Sequence, residues 1–565
     1  MIKKKWTVAV SVMSAMVLMG GGQSVSANEP PLIVDEPFQK TPEISPSESE
    51  LPSVPSESES VKTNAPAQVI NDVNIIGGTV FDLETLSEWL QPIIGKTAQR
   101  DLLLQVVNKI TTAYVQAGYP LSYAAIPPGQ DLTKGRLSLV LVEGYLARSE
   151  IDVEEDHIQK RIERYVTQLM AEKPLTRKTF ERYTALIEST PGYQFRIKVP
   201  RPQSASGATT IRVEQTKKKR YKTGVALDTA GDEPNRLLGS LTLNSMTSHA
   251  DQLTLSGLIP NDTIDRFYSV NYAQHLNSHG LKLNMMMSHF KTDNDDRFFV
   301  SDIPVDFVEN KTRNQFNIGL SYPIELQKKY SWWVGGKLHH LDEEADYDLN
   351  VASTTSEINK DLTYSSLEAF SNMQFNSPKS VTLWQFSVRQ GVDLGANENR
   401  LIQAGSSRRG VEDLHFTTLS TTVFWRYRFA PKWQLQSRLH GHWSDDSLPS
   451  AEQARYGSTR YARGYSEGQA QGDRGYAGEV ELRYLHNLNT RFLKQVQPYI
   501  ILDTAHTELR SGGARRSLSS ATVGIELSDN DHYGINLEYS LPTGDRPIDS
   551  DDRSAIFNLR FRWQL

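Results

Sequence analysis

The sequence predicts a β-barrel membrane protein: a 16-stranded transmembrane antiparallel barrel over residues 217–565, preceded by two small βααββ units. Three observations carry the prediction. From residue 221 onward the chain falls into segments of about ten residues that alternate apolar and polar side chains, as a wall with lipid on one face and water on the other requires. The connections between these segments are alternately short and long. A secretory leader stands at the N-terminus, and no later stretch is long and apolar enough to span a bilayer as a helix.

The leader is read over residues 1–27: Lys3-Lys4-Lys5, an apolar run from Trp6 to Met19, and a Val25-Ser26-Ala27 end that predicts cleavage before Asn28. Residues 28–67 are rich in Pro, Ser and Glu, bury too little apolar surface to fold, and are expected to be a disordered linker. The 565-residue chain holds no cysteine, which excludes disulfides and thiolate chemistry and suits passage through an oxidising compartment. A net charge of −6 without a clustered basic face gives no nucleic-acid partner.

The first unit is assigned to 68–146. Val69–Ile76 reads as a strand, Asp82–Ile94 and Thr97–Gly118 as helices with Leu102, Val106, Ile110 and Tyr114 on one face, and Arg136–Val142 as a strand. The second, 147–216, repeats the order: a strand near Ser149–Val153, helices at Asp156–Ala171 and Thr176–Thr190, and strands at Tyr193–Val199 and Thr209–Glu214. Neither unit has a catalytic pattern; Glu143 and His157 lack a partner at motif spacing. Lys217-Lys218-Lys219-Arg220 reads as a solvated junction to the barrel.

Sixteen strands are placed at about 221–229, 236–247, 251–259, 265–275, 281–291, 312–324, 330–341, 362–375, 379–394, 412–429, 432–444, 476–487, 496–508, 516–528, 532–542 and 554–565. Since the soluble units come first, the first strand rises from the periplasm, and every connection after an odd strand is extracellular. Those connections include all the long ones, 292–311, 342–361, 395–411 and 445–475, whereas 376–379, 430–432 and 529–531 are tight. Short inner turns with long outer loops are the asymmetry of an outer-membrane barrel.

One motif argues otherwise. Gly464-Tyr465-Ser466-Glu467-Gly468 fits the G-x-S-x-G elbow of serine hydrolases, which needs a buried strand before the serine and a helix after it. Here a polar stretch precedes it and an alternating barrel strand follows, so Ser466 is not expected to be a nucleophile.

Shifting the frame back gives Ala462-Arg463-Gly464-Tyr465, in the sixth outer loop by strand count. With it go Gly118-Tyr119, Gln130-Asp131, Gly135, Glu143-Gly144, Pro191-Gly192-Tyr193 and Gly472-Asp473-Arg474-Gly475. Over residues 69–565 the chain resembles the outer-membrane transporters of two-partner secretion (TpsB type, haemolysin secretion/activation family), relatives of the central subunit of the β-barrel assembly machinery. The resemblance implies two polypeptide-transport-associated (POTRA) domains in the periplasm of a Gram-negative bacterium. It also implies an outer loop folded into the pore, with Arg463, Gly464 and Tyr465 at its tip and Asp503 as the partner on the lumen wall. The family's F-x-D-x-G strand motif is reduced here to Ile501-Leu502-Asp503-Thr504-Ala505, the segment 28–67 offers no plug helix, and the chain ends in Leu565 where an aromatic residue is usual.

The implied function is export of an unfolded partner exoprotein of TpsA type, an adhesin, haemolysin or contact-dependent toxin. The implied surroundings are outer-membrane lipid and, for the chain's own insertion, the assembly machinery. No P-loop occurs and no cofactor or metal is expected, so the chain is read as no enzyme. The alternatives are an insertase of barrel proteins, which usually carries more POTRA units, and a passive porin, which lacks them. A barrel-fused patatin-like phospholipase would need a catalytic domain for which 28–67 leaves no room.

Overall fold

The computed structural model describes residues 68–565 except 131, 231–235, 260–264, 301–302, 352–353, 511–512, 514 and 548–552. The expected leader, the linker and Asp131 lie outside the described residues.

In the first unit β1 (Asp72–Ile76), α1 (Leu83–Leu90), α2 (Arg100–Gln116), β2 (Tyr123–Ala125) and β3 (Arg136–Val142) form a three-stranded sheet in the order β1-β3-β2. The Asp82 carboxylate starts α1 by accepting the Thr85 N–H at 2.7 Å. Leu103, Val106, Ile110 and Tyr114 of α2 bury against Leu137, Leu139 and Leu141 of β3. The second unit, β4 (Tyr145–Asp152), α3 (Asp156–Ala171), α4 (Arg177–Glu188), β5 (Tyr193–Lys198) and β6 (Ala208–Lys218), has the same order β4-β6-β5, its outer pairings parallel then antiparallel as in the first. The strand that sequence reading missed, β2, has three residues, too few to show an alternation.

The barrel is closed and antiparallel with sixteen strands. Its first half is β7 (Tyr221–Ala230), β8 (Arg236–Asn244), β9 (Gln252–Leu258), β10 (Arg266–His275), β11 (Lys282–Val300), β12 (Ile303–Leu326), β13 (Tyr330–Val351) and β14 (Thr354–Asn376). After β15 (Ser380–Val392) a hairpin of β16 (Glu398–Gln403) and β17 (Ser406–Arg409) extends the wall outside. Then come β18 (Thr417–Ala430) and β19 (Trp433–Ser444), which lead into the sixth outer loop. Inside that loop β20 (Ala454–Tyr456) pairs with β21 (Ala470–Gly472). The wall resumes with β22 (Arg474–Tyr484), extended by β23 (His486–Asn487), then β24 (Gln495–Glu508), β25 (Arg515–Ser528), β26 (Tyr533–Pro542) and β27 (Ile556–Gln564). β27 closes on β7 from Asn558↔Ala230 to Gln564↔Gly224. No helix among the described residues is long and apolar enough to cross a membrane.

Alternation sorts the wall as expected. In β24 Ile500 and Leu502 are 54% and 62% exposed to lipid, whereas Ile501, Asp503 and Ala505 are buried toward the lumen. Two of the expected outer loops are corrected. Residues 292–311 and 342–361 are mostly strand, because the β11–β12 ladder runs to Val300↔Ile303 and the β13–β14 ladder to Val351↔Thr354. Beyond the bilayer both faces meet water, so hydropathy alternation stops while backbone pairing continues.

The second unit sits on the barrel's inner rim and fixes which end is periplasmic. Arg182 of α4 donates to the carbonyls of His279 (2.8 Å), Pro323 (3.0 Å) and Ile324 (3.3 Å) and to the Tyr322 hydroxyl (3.1 Å). Leu326, at the end of β12, joins the unit's own core with Tyr183, Leu186 and Ile187. At the junction Lys218 pairs with Glu155 at 2.6 Å and Glu154 at 3.3 Å, and Arg220 stands 3.5 Å from Glu155, so these two charges of the basic run are met by the unit it leaves.

Candidate functional site

Loop 6 folds back into the lumen instead of standing outside. Its base is tied by Asp473, 1% exposed, which accepts the N–H groups of Leu448 (2.9 Å) and Arg510 (2.8 Å) and the Gln453 amide (3.0 Å). From the β20–β21 hairpin the chain turns tightly, with Ser458, Tyr461 and Ala462 at φ of 66°, 50° and 55°. These left-handed residues, costly for side chains other than glycine, bring Arg463 against the wall.

Arg463 is 6% exposed and lies among three carboxylates. Its Nη2 donates to Glu479 Oε2 at 2.8 Å, its Nε is 3.9 Å from Asp503 Oδ2, and its Nη1 is 3.9 Å from Glu538 Oε1. Asp503 also accepts the Arg463 backbone N–H at 3.3 Å and the Ser520 hydroxyl. Glu538 is shared with Arg560 at 2.7 Å and the Tyr499 hydroxyl at 2.8 Å. The guanidinium's nearest carboxylate is therefore Glu479, with the expected partner Asp503 holding the backbone of the tip. Ladder register explains why the two act together: Glu479 stands directly opposite Asp503, and Asp503 opposite Ser520.

Gly464 lies flat against β26. A Cβ there would stand 2.6 Å from the Pro542 nitrogen, so only glycine allows this approach. Tyr465, 1% exposed, donates its hydroxyl to the Asp545 carbonyl at 2.8 Å and packs with Leu518 and Ala505. A cavity of about 760 Å³ runs from Arg463 down to the inner turn at Asn530–Tyr533, lined by Arg438, Arg483, Arg560, Glu481 and Glu526. Ser466 follows the tip between two turns with no helix after it, and no imidazole or carboxylate hydrogen-bonds to it among the described residues.

The other motif residues build the small units. Gly118, at φ 92°, ends α2 and gives its carbonyl to Arg177 N–H at 2.7 Å, joining the two units. Tyr119 closes the same cap through its N–H to the Tyr114 carbonyl at 2.8 Å. The Gln130 amide pairs with Ser138 of β3 in both directions, at 2.6 and 2.7 Å. Gly135 and Gly144 leave room for Asn71 and Leu121, which a Cβ would meet at 2.4 Å in each case. Glu143 accepts the Thr79 and Val80 N–H groups at 2.6 and 2.9 Å and the hydroxyls of Thr79 (2.7 Å) and Tyr114 (3.0 Å). Burial works to raise its pKa, but these bonds win and hold it below the usual carboxylate value. Pro191 takes the Ser245 hydroxyl on its carbonyl at 2.7 Å, and Gly192, at φ 77°, lets the second unit touch Asn244 at the end of β8.

A model of the family described as haemolysin secretion/activation protein ShlB/FhaC/HecB matches residues 207–527, and one described as POTRA domain, ShlB-type, matches 69–144. Among solved structures, CdiB from Escherichia coli shares the fold at a TM-score of 0.69 and 17% identity, covering 92% of this chain and 94% of its own. CdiB from Acinetobacter baumannii does so at 0.58 and 15% identity, covering 100% and 97%. No curated protein matches the sequence significantly.

Proposed function

The chain belongs to the haemolysin secretion/activation family ShlB/FhaC/HecB, outer-membrane transporters of two-partner secretion with a periplasmic POTRA domain, and we propose how its own residues do that work. The second βααββ unit acts as a second POTRA domain. An unfolded exoprotein of TpsA type pairs with a free sheet edge; β4 and β5 are the candidates in the second unit, since among the described residues only β6 pairs with either. The segment then passes into the lumen through the space under loop 6. No catalytic step is involved, and folding outside draws the chain through.

The observation that supports this reading best is the inward position of loop 6, with Arg463 buried among Glu479, Asp503 and Glu538. A passive pore has no need of a charged loop fastened across its lumen. Deleting the gene is expected to abolish surface display of one large exoprotein while other outer-membrane barrels remain. Collective loss of those barrels would instead make the protein an insertase.

A further inference from the structure

The limb of loop 6 that precedes the β20–β21 hairpin has its own attachment, on a different part of the wall. Leu448, 2% exposed, buries among Leu341, Leu362, Tyr364, Leu414 and Phe416. Four residues on, the Glu452 carboxylate receives Arg389 Nη1 of β15 on both oxygens, at 3.1 and 2.9 Å, and the Tyr364 hydroxyl of β14 at 2.9 Å. The other edge of Arg389 is held by Glu368, with Nε at 3.2 Å and Nη2 at 2.5 Å, and Glu368 in turn meets His339 Nε2 at 2.9 Å. Arg389 is thus a cation shared between one wall carboxylate and one loop carboxylate.

The Arg463 site rests on β22, β24 and β26; this one rests on β14 and β15, and β18 and β19 stand between them in the barrel order. The Glu452 side chain is only 8% exposed. Removing one partner of a pair buried to this extent leaves the other charge uncompensated, which is strongly destabilising for that arrangement.

We infer that Glu452, Arg389 and Tyr364 form a second latch, independent of Arg463, so that loop 6 leaves its resting place only when both attachments open. Glu452 is a positioning residue in this scheme. The inference rests on the reading that loop 6 obstructs the pore at rest.

The test is the conductance of the purified full-length protein in planar bilayers, with heat-modifiable migration to select folded barrels. Glu452→Gln is expected to raise mean conductance several-fold. Glu452→Asp, which keeps the carboxylate that Arg389 and Tyr364 hold, is expected to stay much closer to the wild-type level than Glu452→Gln. Because the two sites share no partner, Glu452→Gln and Arg463→Ala combined are expected to multiply their separate effects. Should Glu452→Gln fail to insert, Tyr364→Phe removes one donor from the same carboxylate and carries the same sign at smaller size. Wild-type conductance in folded Glu452→Gln, a Glu452→Asp protein as leaky as Glu452→Gln, or a combined variant no leakier than Arg463→Ala alone each overturns the second latch. An Arg463→Ala protein that secretes and conducts as wild type sinks the reading of loop 6 itself, whatever Glu452 does.

Discussion

At the tip of loop 6 one guanidinium meets three carboxylates in a nearly dry site, whereas at the periplasmic rim the half-buried Arg182 meets three backbone carbonyls and a hydroxyl. Both arginines fasten a part of the molecule to the barrel. They differ in what remains when they are removed. Carbonyls left behind at the rim rehydrate, and Leu326 still plugs the second unit's core. Carboxylates left behind at the tip stay buried, with Arg438 at 3.5 Å from Glu479 and Arg560 at 2.7 Å from Glu538 as their remaining counter-charges. The rim joint is therefore built to tolerate adjustment and the tip joint to be in place or not.

The largest expected effect follows at the tip. Breaking a buried ion pair by deleting one partner costs about 3–5 kcal/mol, so Arg463→Ala should expel the tip and cut secretion by at least tenfold, with the barrel still surface-exposed. Arg463→Lys should recover only part of this, since an ammonium lacks the fork that spans several carboxylates. Immunoblotting of the exported partner, beside protease shaving of the barrel, gives both numbers. Wild-type secretion by Arg463→Ala would erase the contrast between the two joints.

Gly464→Ala tests the same joint through shape alone. The new methyl meets the β26 backbone at 2.6 Å, and forced overpacking of this kind costs about 1–3 kcal/mol. Secretion should fall, by less than with Arg463→Ala. A full-strength defect would place the weight of the latch on the close approach and not on charge.

At the rim, Arg182→Ala loses hydrogen bonds from a charged donor to neutral acceptors, about 1.5–3 kcal/mol in total after rehydration. The change should appear as faster amide exchange at 276–281 and 322–329, with secretion reduced modestly. Exchange unchanged in those turns would mean that Leu326 and its neighbours hold the unit unaided.

A smaller effect separates the first unit from both joints. The folded-state pKa of Glu143 is lowered, so its bonds to Thr79, Val80 and Tyr114 contribute stability that is complete above the unfolded carboxylate pKa and fades as pH falls through the folded one. Amide protection at Thr79 and Val80, taken relative to the intrinsic exchange rate at each pH, should fall on acidification below about pH 4. Glu143→Gln should exchange fast at neutral pH and lose that dependence. An acid response confined to the barrel would refute this.

Much of this was legible in the sequence, and for identifiable reasons. The family resemblance put Asp503 on the lumen wall, and alternation put Glu479 and Glu481 on the polar face of β22. What alternation does not carry is register. Which of the lumen carboxylates stands opposite Asp503 depends on how β22 aligns with β24, and no local pattern records that alignment. Glu452 and Arg389 were invisible for a stronger reason: 63 residues separate them, and one of the two lies in an irregular loop. The extensions of β11–β14 escaped because strand pairing outlasts the hydropathy signal where water bathes both faces.

Ser466 supplies the smallest expected effect, none at all, and it bears on why the tip is built as it is. A nucleophilic serine needs an imidazole within hydrogen-bond reach and donors aimed at an oxyanion. Ser466 is instead a half-buried residue between two turns, after Tyr465, whose carbonyl accepts the Ser458 N–H at 2.7 Å. Its neighbour Glu467 pairs with Arg236 of β8 at 3.5 Å, which ties the far side of the tip to the wall, and with Arg455 of β20 within the loop at 3.9 Å. The glycines that complete the apparent elbow have other uses: Gly464 touches β26, and Gly468 turns back at φ 77°. Ser466→Ala should therefore secrete at the wild-type rate, and the purified protein should take up no fluorophosphonate. Stoichiometric labelling that disappears in Ser466→Ala would establish an esterase in the same loop and leave the latch to share its tip with a catalytic serine.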